Sequence, residues 1–207
     1  MKIELYHTGP LAVNTYLAYD EAGQGFLVDP GGHDNRITKR IKELGVTPSY
    51  ILLTHAHGDH IGGVPGFKQD FPEIRVCACK KETELLGNGE LNSSIEFFGR
   101  EITIEPDLYV EDGDTLTIGS MTLRFIETPG HTKGGMCIYS EADGVLFSGD
   151  TLFQTSVGRT DFYGGSFPEL IASIKEKLFL LPDDTKVLPG HMGATTIGVE
   201  KRYNPFV

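Results

Sequence analysis

The chain has 207 residues, of which 39% are hydrophobic and 23% charged, and this composition is typical of a globular protein of about one domain. Its 18 basic and 29 acidic residues give a formal charge of −11, which disfavours binding to the phosphate backbone of nucleic acids. No apolar run approaches the ~20 residues that span a bilayer, and the N-terminus lacks the apolar core of a signal peptide, so we expect a cytoplasmic protein without a membrane partner.

The first half of the sequence predicts strands that alternate with helices. In the first helix, Ile37, Ile41 and Leu44 recur at helical spacing. Asp34 is placed to cap the N-terminus of this helix, and Gly45 is placed to end it. The predicted strands are KIELYH, NTYLAY, GFLVDP, YILLT and IRVCA, and further helices are expected after Gly63 and near Lys80.

The second half repeats this alternation. Its predicted strands are TLTIG, MTLRFIET, MCIYS, GVLFSG and TKVLPG, and its predicted helices are SFPELIASIKEKLF and TTIGVEKRY. Ser166 and Glu169 have the spacing of a capping box at the start of the first of these helices, and its apolar stripe is Leu170, Ile171, Ile174 and Leu178. Strands followed by helices in each half predict an α/β protein of four layers, with two sheets covered by helices on their outer faces.

Three cysteines, Cys77, Cys79 and Cys137, make an odd number. Cys77 and Cys79 stand two apart in the predicted strand RVCAC, where strand alternation points both side chains to one face. A buried structural role is therefore favoured over the alternative of a redox or metal-binding role.

The stretch THAHGDHIGG places three histidines and an aspartate within six residues. His55 and His57 stand two apart at the end of a buried strand, where alternation aims both imidazoles the same way. Gly58 is expected to let the backbone turn, so that Asp59 and His60 point in a different direction. One short loop thus offers two nitrogen ligands to one point and an oxygen–nitrogen pair to another.

Three further polar residues directly follow a glycine at the end of an apolar strand, namely His131 in IETPGH, Asp150 in VLFSGD and His191 in KVLPGH. Because strand ends meet at one edge of a sheet, we expect these residues and the histidine loop to converge on one cleft. Imidazole and carboxylate ligands suit zinc first, with iron and manganese as alternatives. His7 and His33 lack this pattern, and a structural role is favoured for both.

Seven ligands are too many for one tetrahedral ion, but with one shared carboxylate they suit two divalent ions. Two such ions lower the pKa of a bridging water to roughly 7 and supply hydroxide as a nucleophile at neutral pH. The pattern therefore predicts a dinuclear metal-dependent hydrolase, and no G-x-S-x-G motif points to a serine nucleophile.

Together, HAHGDH, SGD and the two PGH motifs resemble the metallo-β-lactamase fold superfamily, whose fold is an αββα sandwich. The stretches SGDTLFQTSVGRTDFYGG and LPGHMGATTIGVEKRYNPF are similar to its glyoxalase II (hydroxyacylglutathione hydrolase) branch, especially the short single-domain bacterial members. The resemblance implies one domain over residues 1–207. It also implies a first metal on His55, His57 and His131, a second metal on Asp59, His60 and His191, and Asp150 as the bridge.

The same resemblance implies hydrolysis of a small thioester such as S-D-lactoylglutathione, with Asp59 and Asp150 as the catalytic carboxylates. Thiolate is a good leaving group, so such a site needs no strong general acid. Arg159 stands where the family places a basic side chain that contacts glutathione, and an ion pair with Asp161 is the alternative. Because His60 and Asp150 are both present, the resemblance does not indicate a lactam substrate.

Two features depart from the family pattern. The eukaryotic-type enzyme has a C-terminal helical domain, and because this sequence ends at Val207 we expect no such domain here. HMGA stands where relatives often have HGPA, and Met192 is expected to fill a packing gap rather than to contact substrate. Residues 87–106 and 154–165 are expected to border the cleft. Phe97 and Phe98 are expected to anchor a loop to the core, with packing on substrate as the alternative.

Other functions remain open at this point. The main alternative is an oxidoreductase, the persulfide dioxygenase branch, which shares the histidine pattern but uses one iron. Hydrolysis of another ester, a lactone or a phosphodiester is less well supported, as is a non-catalytic, metal-stabilised binding module. The sequence does not indicate the oligomeric state.

Overall fold

The computed structural model describes residues 1–207, and most of its strands belong to two six-stranded sheets. The strands of the first sheet lie in chain order and are β1 (Lys2–Thr8), β2 (Val13–Tyr19), β3 (Gln24–Val28), β4 (Thr47–Leu52), β5 (Arg75–Cys79) and β6 (Leu108–Val110). Strands β1 to β3 pair antiparallel, and β3 to β6 pair parallel.

The second sheet is built from β7 (Thr115–Ile118), β8 (Met121–Glu127), β9 (Met136–Ser140), β10 (Val145–Gly149), β13 (Lys186–Pro189) and β14 (Thr195–Thr196). Its spatial order is β14-β13-β10-β9-β8-β7, and only the β10–β13 pair is parallel. A small separate hairpin is formed by β11 (Leu152–Phe153) and β12 (Ser156–Val157).

Helices cover the outer face of each sheet. The helices are α1 (Asn35–Leu44), α2 (Gly58–Ile61), α3 (Val64–Asp70), α4 (Thr83–Leu86), α5 (Ser94–Phe98), α6 (Phe167–Glu176) and α7 (Ile197–Tyr203). Helices α1 to α4 pack on the first sheet, and α6 and α7 pack on the second. None of these helices has the length and apolar content needed to cross a bilayer.

Three hydrophobic cores separate the four layers, as the side chains of β2 illustrate. Tyr16 and Ala18 belong to the core between the two sheets, whereas Leu17 and Tyr19 alternate with them and belong to the core beneath α1 and α3. A third core lies between the second sheet and α6 and α7. The αββα sandwich predicted from the sequence is therefore confirmed.

The helix ends agree with the sequence at α1 and differ at α6. Asp34 accepts a hydrogen bond from the backbone N–H of Arg36, and Gly45 ends α1 in the left-handed conformation at φ 66°. Ser166 is the residue before α6, but its side chain makes no capping bond, so the predicted capping box is wrong. Pro168 occupies the second helical position and has no N–H to donate, which removes one of the two groups that a capping hydroxyl usually accepts from.

The structural role expected for the cysteines is confirmed, because all three are buried and free. Burial raises the pKa of Cys77 and Cys79 to about 12 and that of Cys137 to about 11. We therefore expect no thiol to react with Ellman's reagent in the native protein near pH 8 and three to react after unfolding. A thiol that reacts within minutes in the native protein would contradict this expectation.

Candidate metal centre

All seven predicted ligands lie in short segments that follow strands, and the structure brings them together. The segment after β4 carries His55 and His57 in its loop and Asp59 and His60 in α2. The segments that follow β8, β10 and β13 carry one residue each. The first loop comes from one sheet and the other three from the second sheet, so the residues meet where the two sheets open toward each other. The seven are His55, His57, Asp59, His60, His131, Asp150 and His191.

The first cluster consists of His55, His57 and His131. Nδ1 of His57 lies 2.9 Å from Nε2 of His131, which in turn lies 3.3 Å from Nε2 of His55. Burial, together with the neighbouring imidazoles, lowers the pKa of all three rings, that of His57 to about 3. The rings are therefore neutral, which is the form in which imidazole binds a metal ion.

The second cluster consists of Asp59, His60 and His191. Oδ2 of Asp59 lies 3.3 Å from Nε2 of His191 and 3.7 Å from Nε2 of His60. Burial alone would lower the pKa of His60, but Asp150, Asp59 and Asp29 raise it well above its usual value. The concentration of negative charge around this ring favours a cation at this place.

Asp150 lies between the two clusters. Its Oδ2 is 3.7 Å from Nε2 of His131 and 3.8 Å from Nε2 of His191, and its Oδ1 is 3.4 Å from Nε2 of His60. Burial alone would raise the pKa of Asp150, but the imidazole of His60 holds it below its usual range, so the carboxylate is ionised. A ligand shared by two ions would need this position and this charge.

The buried polar atoms of the site test whether a metal fits. Nε2 of His60, Oδ1 of Asp150 and, on the side of its ring away from the first cluster, Nε2 of His57 are buried and have no hydrogen-bond partner. Such atoms are rare because leaving one unpaired costs about 1–3 kcal/mol. Two of them, on His60 and Asp150, face each other across 3.4 Å. The histidine and aspartate clusters are thus compatible with a dinuclear metal site.

Asp29 supports this site and was not recognised in the sequence. Its Oδ2 lies 3.0 Å from Nδ1 of His60, and its carboxylate also accepts hydrogen bonds from the backbone N–H and the hydroxyl of Thr54. The contact leaves Nε2 of His60 facing the cluster, as is common for a metal-binding histidine. A signal was available, because Asp29 stands at a strand end before Pro-Gly in LVDPGG.

Glu82 joins two of the ligand loops and was also missed. It is buried, and it accepts hydrogen bonds from the backbone N–H of Ala56, between His55 and His57, at 2.8 Å and from that of Gly134 at 2.7 Å. Burial raises the pKa of Glu82. Within KKETE it is part of a charged run that resembles a solvated surface, so nothing in the sequence indicated this role.

Replacing Glu82 by alanine is expected to lower the free energy of unfolding by about 3 kcal/mol, because two buried N–H groups lose their acceptor. For a chain of this size that corresponds to a fall in melting temperature of about 6–12 °C, measurable by calorimetry. Glu84→Ala, two residues away on an exposed side chain, is the matched control and is expected to change the melting temperature by far less. Equal losses in both variants would contradict a joining role for Glu82.

Gly58 has a different role from the one expected. It begins α2 and does not have a positive φ, so it does not serve to turn the backbone sharply. A Cβ at Gly58 would lie 2.7 Å from Cα of Ser94, and its N–H donates to the carbonyl of Asn92. Glycine is needed because residues 92–94 pack directly against the ligand loop.

A cleft of about 600 Å³ opens above the clusters. Residues 87–106 contribute Ser93, Glu96 and Phe97 to its walls, and residues 154–165 contribute Ser156, Val157, Arg159 and Phe162. The prediction that both segments border the cleft is confirmed. Phe98 packs on the core as expected, but Phe97 lines the cleft, so the anchoring role is wrong for Phe97.

Arg159 lines the cleft, and its guanidinium forms the ion pair that the sequence left as an alternative. Nε and Nη2 donate to the carboxylate of Asp161 at 2.7 and 2.6 Å, and the group lies 4.1 Å from the ring centre of Phe162. Nη1 makes neither of these bonds, so a substrate contact through it stays a prediction. The backbone carbonyl of Arg159 accepts a hydrogen bond from Nδ1 of His131 at 2.6 Å, which orients that ring.

For three other residues the sequence predicted structural roles: His7 and His33 away from the metal centre, and Met192 in a packing gap. His7 is exposed on β1, and His33 binds Asp70 at 2.7 Å, so neither reaches the clusters. Met192 is 59% exposed and lines the cleft, so its expected role as a filler of a packing gap is wrong.

Comparisons with known proteins agree with this geometry. The model of the Metallo-beta-lactamase superfamily matches residues 8–191. The probable metallo-hydrolase YqgX of Bacillus subtilis is 39% identical over 100% of this chain and 98% of its own. The hydroxyacylglutathione hydrolase GloC of Haemophilus influenzae is 34% identical over 100% of this chain and 98% of its own.

Two solved structures are similar over nearly their full length. The B3 metallo-beta-lactamase BLEG-1 superposes with a TM-score of 0.92 at 41% identity, covering 99% of both chains. TTHA1623, in a di-iron-bound form, superposes with a TM-score of 0.87 at 34% identity, covering 99% of this chain and 100% of its own.

Proposed function

The chain belongs to the metallo-beta-lactamase superfamily, and from this premise we propose that it hydrolyses a small thioester, such as S-D-lactoylglutathione, at a centre of two divalent metal ions. The observation that carries the proposal is the meeting of two ligand clusters on either side of Asp150. The similarity to GloC, a hydroxyacylglutathione hydrolase, supports the thioester as substrate.

In this proposal the residues divide between two ions as the geometry of the clusters suggests. One ion is held by His55, His57 and His131, the other by Asp59, His60 and His191, and Asp150 serves both. Ions of this kind polarise a carbonyl and lower the pKa of a water molecule to roughly 7. Zinc is the metal we expect, and the di-iron form of TTHA1623 keeps iron as the alternative.

The residues of the chain favour a thioester over an amide or a simple ester. Among the side chains that line the cleft, Glu96 is the one carboxylate that is not a proposed ligand, and it lies exposed at the rim. A thiolate leaves without being protonated, so a cleft without a positioned general acid is sufficient for it. Asp59 and Asp150 keep their negative charge at the floor, where they balance the charge of the ions.

A second candidate function is hydrolysis of a β-lactam, because BLEG-1 is described as a B3 metallo-beta-lactamase. The resemblance did not indicate a lactam substrate because His60 and Asp150 are both present. That pair alone does not separate the two activities. Both substrates therefore belong in one experiment, together with glutathione persulfide for the dioxygenase alternative.

We expect purified protein to release thiol from S-D-lactoylglutathione, to contain two metal equivalents by elemental analysis, and to lose activity on exhaustive chelation. Adding zinc to the chelated protein should restore most of the activity. The buried cysteines give little background in a thiol assay of the native protein. Oxygen uptake with glutathione persulfide and an intact thioester, or full activity after chelation, would contradict the proposal.

A further inference from the structure

Apolar side chains line the cleft, and two of them are largely exposed. Six of its fifteen lining residues are apolar, namely Leu11, Phe97, Phe153, Val157, Phe162 and Met192. Leu11 and Met192 are 47% and 59% exposed. Two of these residues lie beside His191. Met192 follows it in the chain, and the ring centre of Phe153 lies 6.4 Å from that of His191. Apolar groups exposed together in a cleft indicate a ligand with an apolar part.

The charged groups of the cleft are poorly suited to a carboxylate-rich thiol carrier. Arg159 is the one lysine or arginine among the lining residues, and two of its guanidinium nitrogens already bind Asp161. Glu96 adds a negative charge at the rim. Glutathione carries two carboxylates, and the rim offers no unpaired lysine or arginine to receive them both.

Met192 has a backbone conformation that glycine would adopt without cost. Its φ is 67°, in the left-handed region that is unfavourable for a residue with a Cβ. The side-chain amide of Asn14 holds this loop by donating to the carbonyl oxygens of Met192 and Pro189, both at 2.9 Å. These contacts are made to the backbone, so the loop that carries His191 does not need the methionine side chain. A strained residue whose side chain lines the cleft points to a role in binding.

We propose that the His191 side of the cleft binds an uncharged, apolar part of the substrate and that Met192 is the residue that selects it. The inference rests on the proposed function and adds to it a preference, within small thioesters, for an apolar acyl chain or an uncharged thiol carrier over S-D-lactoylglutathione. In this arrangement the exposed side chains of Leu11 and Met192 contact the apolar part of the substrate beside the largely buried ring of Phe153. The thioester carbonyl then lies over the ligand clusters.

The test uses metal-loaded protein and four thioesters, which combine a lactoyl or a hexanoyl group with glutathione or N-acetylcysteamine. We expect Met192→Gly to raise about 5–10-fold the KM for the thioesters that carry the recognised apolar group, either hexanoyl or N-acetylcysteamine, with kcat nearly unchanged. KM and kcat for S-D-lactoylglutathione should change by less than about 2-fold. If the KM rises for both hexanoyl thioesters, the cleft binds the acyl group. If it rises for both N-acetylcysteamine thioesters, the cleft binds the thiol carrier. The melting temperature should stay equal or rise, because glycine relieves the backbone.

Met192→Ala is the matched variant, because it also removes the side chain but keeps the unfavourable backbone. It should show the same change in KM without a gain in melting temperature. An equal change for all four thioesters, or none, would overturn the role of Met192 while thioester hydrolysis by the unmodified protein still supported the proposed function. Failure of the unmodified protein to cleave any of the four would overturn both.

Discussion

Replacing Asp150 by asparagine is expected to lower kcat for thioester hydrolysis by on the order of 10³-fold, or about 4 kcal/mol, while the protein stays folded. The carboxylate lies within 3.8 Å of nitrogens of proposed ligands from both clusters. Asparagine has nearly the same size, but it removes the negative charge that would balance two cations. We therefore expect a loss of metal as well as a loss of turnover.

Metal content and fold are measured beside activity in this experiment. Elemental analysis should give fewer than two metal equivalents, and circular dichroism should be unchanged. Asp143→Asn is the matched control, because Asp143 binds the N-terminal amine and Ser140 far from the cleft. We expect that control to keep its metal and its kcat. Full metal content with normal turnover in Asp150→Asn would contradict a shared ligand at this position.

The meeting of the seven proposed ligands was predictable because each one carries a local signal. A polar residue that follows a glycine at the end of an apolar strand occurs three times, at His131, Asp150 and His191. Strand ends are fixed by the hydrophobic cores on both faces of a sheet, so a pattern that identifies the strands also identifies where these residues gather. The same logic predicted the four layers, because alternating residues such as Leu17 and Ala18 belong to different cores.

Unlike Asp29, Glu82 and Met192 were not predictable, because their roles depend on contacts between distant segments. Glu82 acts through the backbone of Ala56 and Gly134, which are 26 and 52 residues away. The backbone conformation of Met192 and its exposure in the cleft have no signature in the four letters HMGA. Periodicity and spacing report which residues share a face or a turn, and they do not report which backbone groups a side chain reaches across the fold.

Gly130, the residue before His131, is expected to tolerate no larger side chain. Its φ of 134° lies in a region that is almost restricted to glycine, and a Cβ there would lie 2.3 Å from the backbone nitrogen and 2.4 Å from Cα of Leu170 in α6. The carbonyl of Gly130 also accepts a hydrogen bond from the N–H of Ser166 at 2.7 Å. Gly130→Ala must therefore displace either α6 or the loop that carries His131. We expect a loss of about 4 kcal/mol in the free energy of unfolding, or about 8–16 °C in melting temperature.

Gly113→Ala separates the two causes of this loss. Gly113 also has a positive φ, 86°, but a Cβ there would meet nothing within 4 Å, so its cost of about 1–2 kcal/mol reports the backbone conformation alone. The additional loss in Gly130→Ala then measures the collision with α6. Because the collision lies next to a proposed ligand, metal affinity should fall by roughly 10–100-fold in Gly130→Ala and stay unchanged in Gly113→Ala. Equal unfolding free energies in urea for the two variants would show that α6 does not fix the position of His131.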